Sequence, residues 1–129
     1  MKPDHADSLH LLGVLHDQIK NHRLAIELIE KSIHINPNNP AQYLNLGNAQ
    51  QNLRHFDESL DSYAKAIALK ADYAVAYVCQ GTALKRLMQF GAAIECFDMA
   101  IAIDNNLAVA HWNKAIVLLS MGVFDPGLR

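Results

Sequence analysis

Seven histidines and two cysteines are the residues of this 129-residue chain most capable of chemistry, and their spacing decides what they can do. His10, His16 and His22 recur every six residues. On a helix this turns successive imidazoles about 240° apart, so they do not converge on one ion. No histidine pair falls four residues apart and no CxxC occurs, so no metal site is expected. Cys79 and Cys96 fall on different helices of the reading below, which predicts neither a disulfide nor a nucleophile. A glycine-rich phosphate loop is also lacking. Catalysis and bound cofactors are therefore not expected. The primary amides of Asn45, Asn48 and Asn113 both donate and accept, so they can hold hydrogen-bonding groups without transforming them.

Composition narrows the class further. An apolar share of 51 % excludes a disordered chain, and Ala, Leu and Ile dominate it, which favours helix. The net charge of −2 is spread along the chain without a basic face, which argues against nucleic acid. Apolar runs such as Ala115 to Leu119 fall far short of the ~20 residues of a membrane span. The first seven residues lack the apolar stretch of a signal peptide, and two cysteines make no disulfide framework. A reducing cytoplasm is the expected location.

The elements that position these residues follow from a period of 34. Gly13, Gly47 and Gly81 keep it, with Ala115 next in the series. Ile19, Leu53, Leu87 and Met121 keep it as well, as do Phe56, Phe90 and Phe124. Small residues recur as Ala25, Ser59 and Ala93, and again as Ser32, Ala66 and Ala100. Within each copy the apolar pattern is helical twice. First helices are predicted at 6–19, 41–53, 74–87 and 108–121, and second helices at 23–35, 57–69 and 91–103, with Asp57 as a cap. Breaks fall at Asn36–Pro40, Lys70–Asp72 and Asp104–Asn106, where turn residues cluster. A mid-helix glycine costs about 1 kcal/mol relative to alanine, so its recurrence requires close helix approach. The expected neighbours are Ala25, Ser59 and Ala93, with Ile29, Tyr63 and Phe97 filling the space around. A lone hairpin cannot bury its face, so the hairpins must stack.

This pattern resembles the tetratricopeptide repeat family. The second copy carries it most fully, with Tyr43, Leu46-Gly47, Tyr63 and Ala66, and Ser59 where the family has alanine. The first copy offers Leu9, Leu12-Gly13, Ala25 and Pro37, and the third Tyr77, Gly81, Ala93, Phe97 and Ala100. In the third copy Gln80 replaces leucine and Asn105 replaces proline, and the fourth copy is degenerate at its start. The resemblance, of a bacterial type, implies an all-α, right-handed α-solenoid of antiparallel helix pairs. It gives about 3.5 repeats, seven helices and the start of an eighth. The repeats would run 6–39, 40–73, 74–107 and partially 108–129 within one domain. RNA-reading sibling repeats have a period one residue longer, which the uniform spacing does not match.

In this family one side of the first helices lines a concave groove that binds a peptide or partner segment. That side carries His10 and Asp17 in the first copy, then Leu44, Asn45, Asn48, Gln51 and Asn52. It continues with Val78, Cys79, Thr82, Lys85 and Arg86, then Trp112 and Asn113. The amides suit the backbone of an extended peptide, similar to the asparagine ladders of O-GlcNAc transferases, although Leu11 and Cys79 interrupt the series. The apolar positions suit its side chains, and Lys85 and Arg86 suit an acidic group. The clamp that other members use for chaperone tails would fall on His10, Val14, Asn45, Val75 and Cys79, where only Asn45 fits. Chaperone-tail binding is therefore not expected.

The fourth copy stops early. Asp125 and Pro126 should open its second helix, and nothing after them covers Trp112, Ile116 and Leu119. The chain reads as a fragment of a longer protein. Three readings compete: a protein-interaction scaffold, a substrate-recognition arm of a larger bacterial glycosyltransferase-like protein, and a homo-oligomerisation module joined through the uncapped C-terminal hairpin.

Overall fold

The computed structural model describes residues 5–122, and all its regular structure is helical. The helices are α1 (His5–Gln18), α2 (His22–Ile35), α3 (Pro40–Asn52), α4 (Phe56–Leu69), α5 (Ala74–Arg86), α6 (Phe90–Ile103) and α7 (Ala108–Ser120). This is the all-α helical-repeat architecture expected from the 34-residue period, with helix ends within a residue or two of the predicted ones. The expected eighth helix, with Phe124, Asp125 and Pro126, lies outside the described residues.

Turn chemistry sets the boundaries. Each first helix ends on a left-handed residue, at Lys20 (φ 67°), Arg54 (φ 65°) and Met88 (φ 62°), and the series continues in Gly122 (φ 71°). The N–H after each of the first three returns to a carbonyl of the last turn: Asn21 to His16, His55 to Gln50 and Gln89 to Leu84, at 2.8–2.9 Å. This is the Schellman arrangement, here with side chains where glycine is the usual occupant. Between repeats, the Asn39 side chain caps α3 by accepting from the Ala41 N–H at 3.0 Å, and Pro40 opens the helix without needing a donor. Asp57 is not the cap of α4. The helix begins at Phe56 after His55, which places the Asp57 carboxylate in the first turn, where it favours the positive end of the helix dipole.

The chain divides into two compact units, with the boundary in sequence between Ala71 and Asp72. In the first, α1 packs on α2, α2 on α3 and α3 on α4. Its core holds Ala25, Ile29, Ala49, Tyr63 and Ala66, none with any exposed surface. A polar seam crosses it: Ser32 Oγ donates to the Ala6 carbonyl at 2.7 Å and accepts from Gln42 Nε2 at 2.6 Å. In the second unit α5 packs on α6 and α6 on α7. Its core gathers Val78, Ala93, Phe97, Ala100, Ala110 and Val117.

The glycines have a sharper reason than the expected one. A Cβ at Gly47 would lie 2.5 Å from Tyr63 Cε1, and one at Gly81 would lie 2.6 Å from Phe97 Cε1. At Gly13 it would lie 2.6 Å from Ile29 Cγ1, with the Ala25 carbonyl at 3.2 Å. The large residue of the second helix therefore fills the glycine notch itself. The small residues Ala25, Ser59 and Ala93 are buried, but they are not what the notch mainly accommodates.

Candidate functional site

In the first unit α1 and α3 run side by side, and their residues meet at a separation of 35, one more than the period. Asn45 Nδ2 lies 2.8 Å from His10 Nε2. An amide nitrogen can only donate, so this placement makes His10 Nε2 the acceptor and requires the neutral tautomer with its proton on Nδ1. Burial pushes the His10 pKa below its ordinary value, against a smaller opposing pull from the Asp7 carboxylate, which agrees with a neutral ring. Asn52 Nδ2 likewise reaches both carboxylate oxygens of Asp17 at 3.2 Å, and the His22 ring nitrogen Nδ1 sits 2.6 Å from Asp17 Oδ1.

One turn along α3, the side chain of Asn48 is fixed from below. Tyr63 reaches past Gly47, and its hydroxyl donates to Asn48 Oδ1 at 2.7 Å while accepting from Gln51 Nε2 at 2.9 Å. Each of the two amides thus spends one end inside the protein. Asn45 uses its nitrogen and leaves Oδ1, and Asn48 uses its oxygen and leaves Nδ2. Neither leftover atom is a buried, unsatisfied one; among described side chains only Gln42 Oε1 is. The strip therefore offers an acceptor and a donor, one helical turn apart, beside the half-buried Leu44.

In the second unit the corresponding face is built differently. Val78, expected to offer an apolar contact, is 6 % exposed and belongs to the core. Cys79 and Thr82 are half-buried, and the Thr82 hydroxyl donates back to the Val78 carbonyl at 3.0 Å. Asn113 has both ends engaged, donating to the Val109 carbonyl at 2.8 Å and accepting from Lys85 Nζ at 3.4 Å. Lys85 is thereby held half-buried, whereas Arg86 is exposed. Trp112 stands 68 % exposed. Cys96 is half-buried with its thiol 3.5 Å from Gln80 Oε1, and burial, aided by Glu95, pushes its pKa up to about 11.

The sequence puts His10 and Gln51 on the groove side without giving either a role, and it reads Tyr63 as core. The Tyr63 hydroxyl becomes relevant only because the glycine notch lets the ring pass. The period-plus-one offset linking His10 to Asn45 and Asp17 to Asn52 is the sequence signal that could have found those pairs.

Among the described residues, no three His, Cys, Asp or Glu side chains gather in a way that could hold a metal ion, and no helix is long and apolar enough to cross a membrane.

The tetratricopeptide repeat model matches residues 6–39 and 43–73. No curated protein matches the sequence significantly. Among solved structures, the Sgt2 TPR domain from Aspergillus fumigatus superposes with a TM-score of 0.88 at 18 % identity, over 98 % of this chain and 85 % of that one. MamA gives 0.87 at 25 % identity, over 96 % of this chain and 72 % of that one. The first TPR of Spaghetti (RPAP3), solved bound to the HSP90 peptide SRMEEVD, gives 0.86 at 21 % identity, over 91 % and 93 %. With two matched repeats, seven helices in the expected register and an aromatic or aliphatic side chain seated on each repeat glycine, the chain belongs to the tetratricopeptide repeat family.

Proposed function

We propose that this chain is a protein-interaction module rather than an enzyme, and that the first-helix face of its N-terminal unit binds an extended segment of another polypeptide. The observation that carries this reading is the oriented amide pair, in which the opposite ends of Asn45 and Asn48, Nδ2 and Oδ1, are engaged within the chain and Asn45 Oδ1 and Asn48 Nδ2 are left over. In an extended chain the N–H and C=O of one residue point the same way, so a single ligand residue can engage both amides. Leu44 lies beside them for an apolar ligand side chain. Peptide binding by similar folds, such as the RPAP3 domain with its HSP90 peptide, supports the class of ligand. An acidic tail of that kind suits this strip poorly, since α1 and α3 carry no lysine or arginine.

The test is selection of a displayed random-peptide library on the immobilised chain, followed by titration of recovered peptides against the Asn45→Ala, Asn48→Ala double variant. A loss of about thirtyfold is expected, from two hydrogen bonds of about 1 kcal/mol each. Equal affinity for wild type and double variant removes the assignment.

A second reading is favoured by α7, where Trp112 and Leu119 are 68 % and 63 % exposed. An apolar face of this kind suits association with another copy. Sedimentation over a hundredfold concentration range tests it, and a monomer throughout counts against it.

A further inference from the structure

The two amides of the strip differ in what holds them. Asn48 is fixed by the hydroxyl of Tyr63, a side chain with no exposed surface. Asn45 is fixed by an imidazole, which does not stay in one protonation state. With its proton on Nδ1 a neutral His10 accepts at Nε2, the tautomer that the placement of Asn45 Nδ2 against the ring requires, and this turns the amide oxygen away from it. An imidazolium has a proton on both nitrogens and accepts nothing. Asn45 can then satisfy the ring only with its oxygen, and its NH₂ swings outward.

We propose that His10 is a positioning residue for ligand recognition, whose protonation reverses the hydrogen-bonding polarity that Asn45 presents. The neutral protein offers an acceptor at Asn45 and a donor at Asn48, and so takes one residue's N–H and C=O from an extended main chain. The protonated protein offers two donors and a new positive charge, and so takes carbonyl or carboxylate oxygens instead. The recognition half of this inference rests on the peptide-binding reading above; the reversal itself does not.

The surroundings of His10 leave the reversal in its own hands. On α1 it faces Asp7, one turn earlier, whose carboxylate favours the charged ring. His5, His16 and Asp17 complete the titratable groups of that helix. On α2 the candidates are His22, Arg23, Glu27, Glu30, Lys31 and His34, none of which perturbs the ring. On α3 no side chain is charged, and the one titratable group, Tyr43, has its hydroxyl on the Pro37 carbonyl at 3.0 Å. Burial outweighs Asp7, so the neutral form prevails at pH 7 and the reversal comes only on acidification.

Two measurements on the full chain test the proposal. Long-range ¹H–¹⁵N spectra read the tautomer of His10 with no ligand present. The expected result is a proton on Nδ1 above the titration, with a through-hydrogen-bond coupling from His10 Nε2 to the Asn45 amide that disappears on acidification. A neutral His10 protonated on Nε2 overturns the proposal, whether or not any peptide binds. The second measurement is the affinity of a library-selected peptide from pH 7.5 down to pH 5. Wild type should weaken on the order of tenfold as an acceptor is exchanged for a donor. His10→Gln, whose amide oxygen can accept from Asn45 at every pH, should stay flat near the wild-type value at pH 7.5. Asn45→Ala should be weak and flat. A His10→Gln profile that falls like wild type overturns the proposal, because another group would then be responsible.

Discussion

The hydroxyl of Tyr63, a side chain with no exposed surface, crosses from α4 to α3 and donates to Asn48 Oδ1 at 2.7 Å. A core residue thereby sets the direction of a surface amide, joining the packing of the repeat to the proposed recognition strip. Tyr63→Phe keeps the ring in the Gly47 notch but removes this bond and the one from Gln51. It should lower unfolding free energy by about 1 kcal/mol in urea denaturation. It should also weaken peptide binding, by a smaller factor than Asn48→Ala, because the amide remains but is free to turn.

Gly47 and Gly91 separate packing from helix propensity. Gly47→Ala puts a methyl group into the Tyr63 ring, and this overpacking should outweigh the helical gain, for a net loss of about 1–2 kcal/mol. At Gly91, in the first turn of α6, an added methyl group would meet nothing within 4 Å. Gly91→Ala should therefore be stabilising, by about 0.5–1 kcal/mol. Thermal unfolding of the two variants, with opposite signs, checks both.

The left-handed position after each first helix predicts a gain from glycine. Met88 has φ 62° and is 72 % exposed, so its side chain contributes little packing while its backbone is strained. Met88→Gly should stabilise by roughly 0.5 kcal/mol, the left-handed strain being partly offset by glycine's greater freedom when unfolded. Met88→Val, β-branched at the same φ, should destabilise instead. The comparison of their melting temperatures is the check.

Cys96 should be slow to alkylate. With its pKa pushed up to about 11 from 9.0, its thiolate fraction at pH 8 is about a hundredfold below that of an ordinary thiol. Because the neutral form is the favoured one, the rate should keep climbing with pH until about 11. Iodoacetamide labelling followed by mass spectrometry should show slow modification of the native chain at Cys96 and fast modification in urea. Equal rates in the two conditions would contradict this.

The repeat, the helix bounds and the close approach at the repeat glycines were legible in the sequence because each is a local property repeated at one interval, although the notches hold Ile29, Tyr63 and Phe97 rather than mainly the small residues expected there. Four things were less so. Val78 shares a phase with Leu44 and Trp112, yet it is buried among Phe97 and Ala93, because equal phase does not give equal burial when the neighbouring residues differ. Asn113 shares a phase with Asn45, but Lys85 and its own helix engage both ends of its amide. Asp57 resembles a cap by type, yet the chain enters α4 earlier, at His55. The left-handed residues Lys20, Arg54 and Met88 carried no compositional signal, since only Gly122 shows the expected residue type. Side-chain partners across helices depend on rotamer and register, and a phase assignment fixes neither.

The amide pair as peptide contact is tested most directly by intermolecular nuclear Overhauser effects in the complex with a library-selected peptide. The predicted contacts run from the Asn48 side-chain NH₂ and the Leu44 methyl groups to backbone and side-chain protons of one ligand residue, saturating with the binding curve. Saturable binding whose contacts all fall on α2 and α4, with the Asn45 and Asn48 amide resonances unmoved, would contradict it.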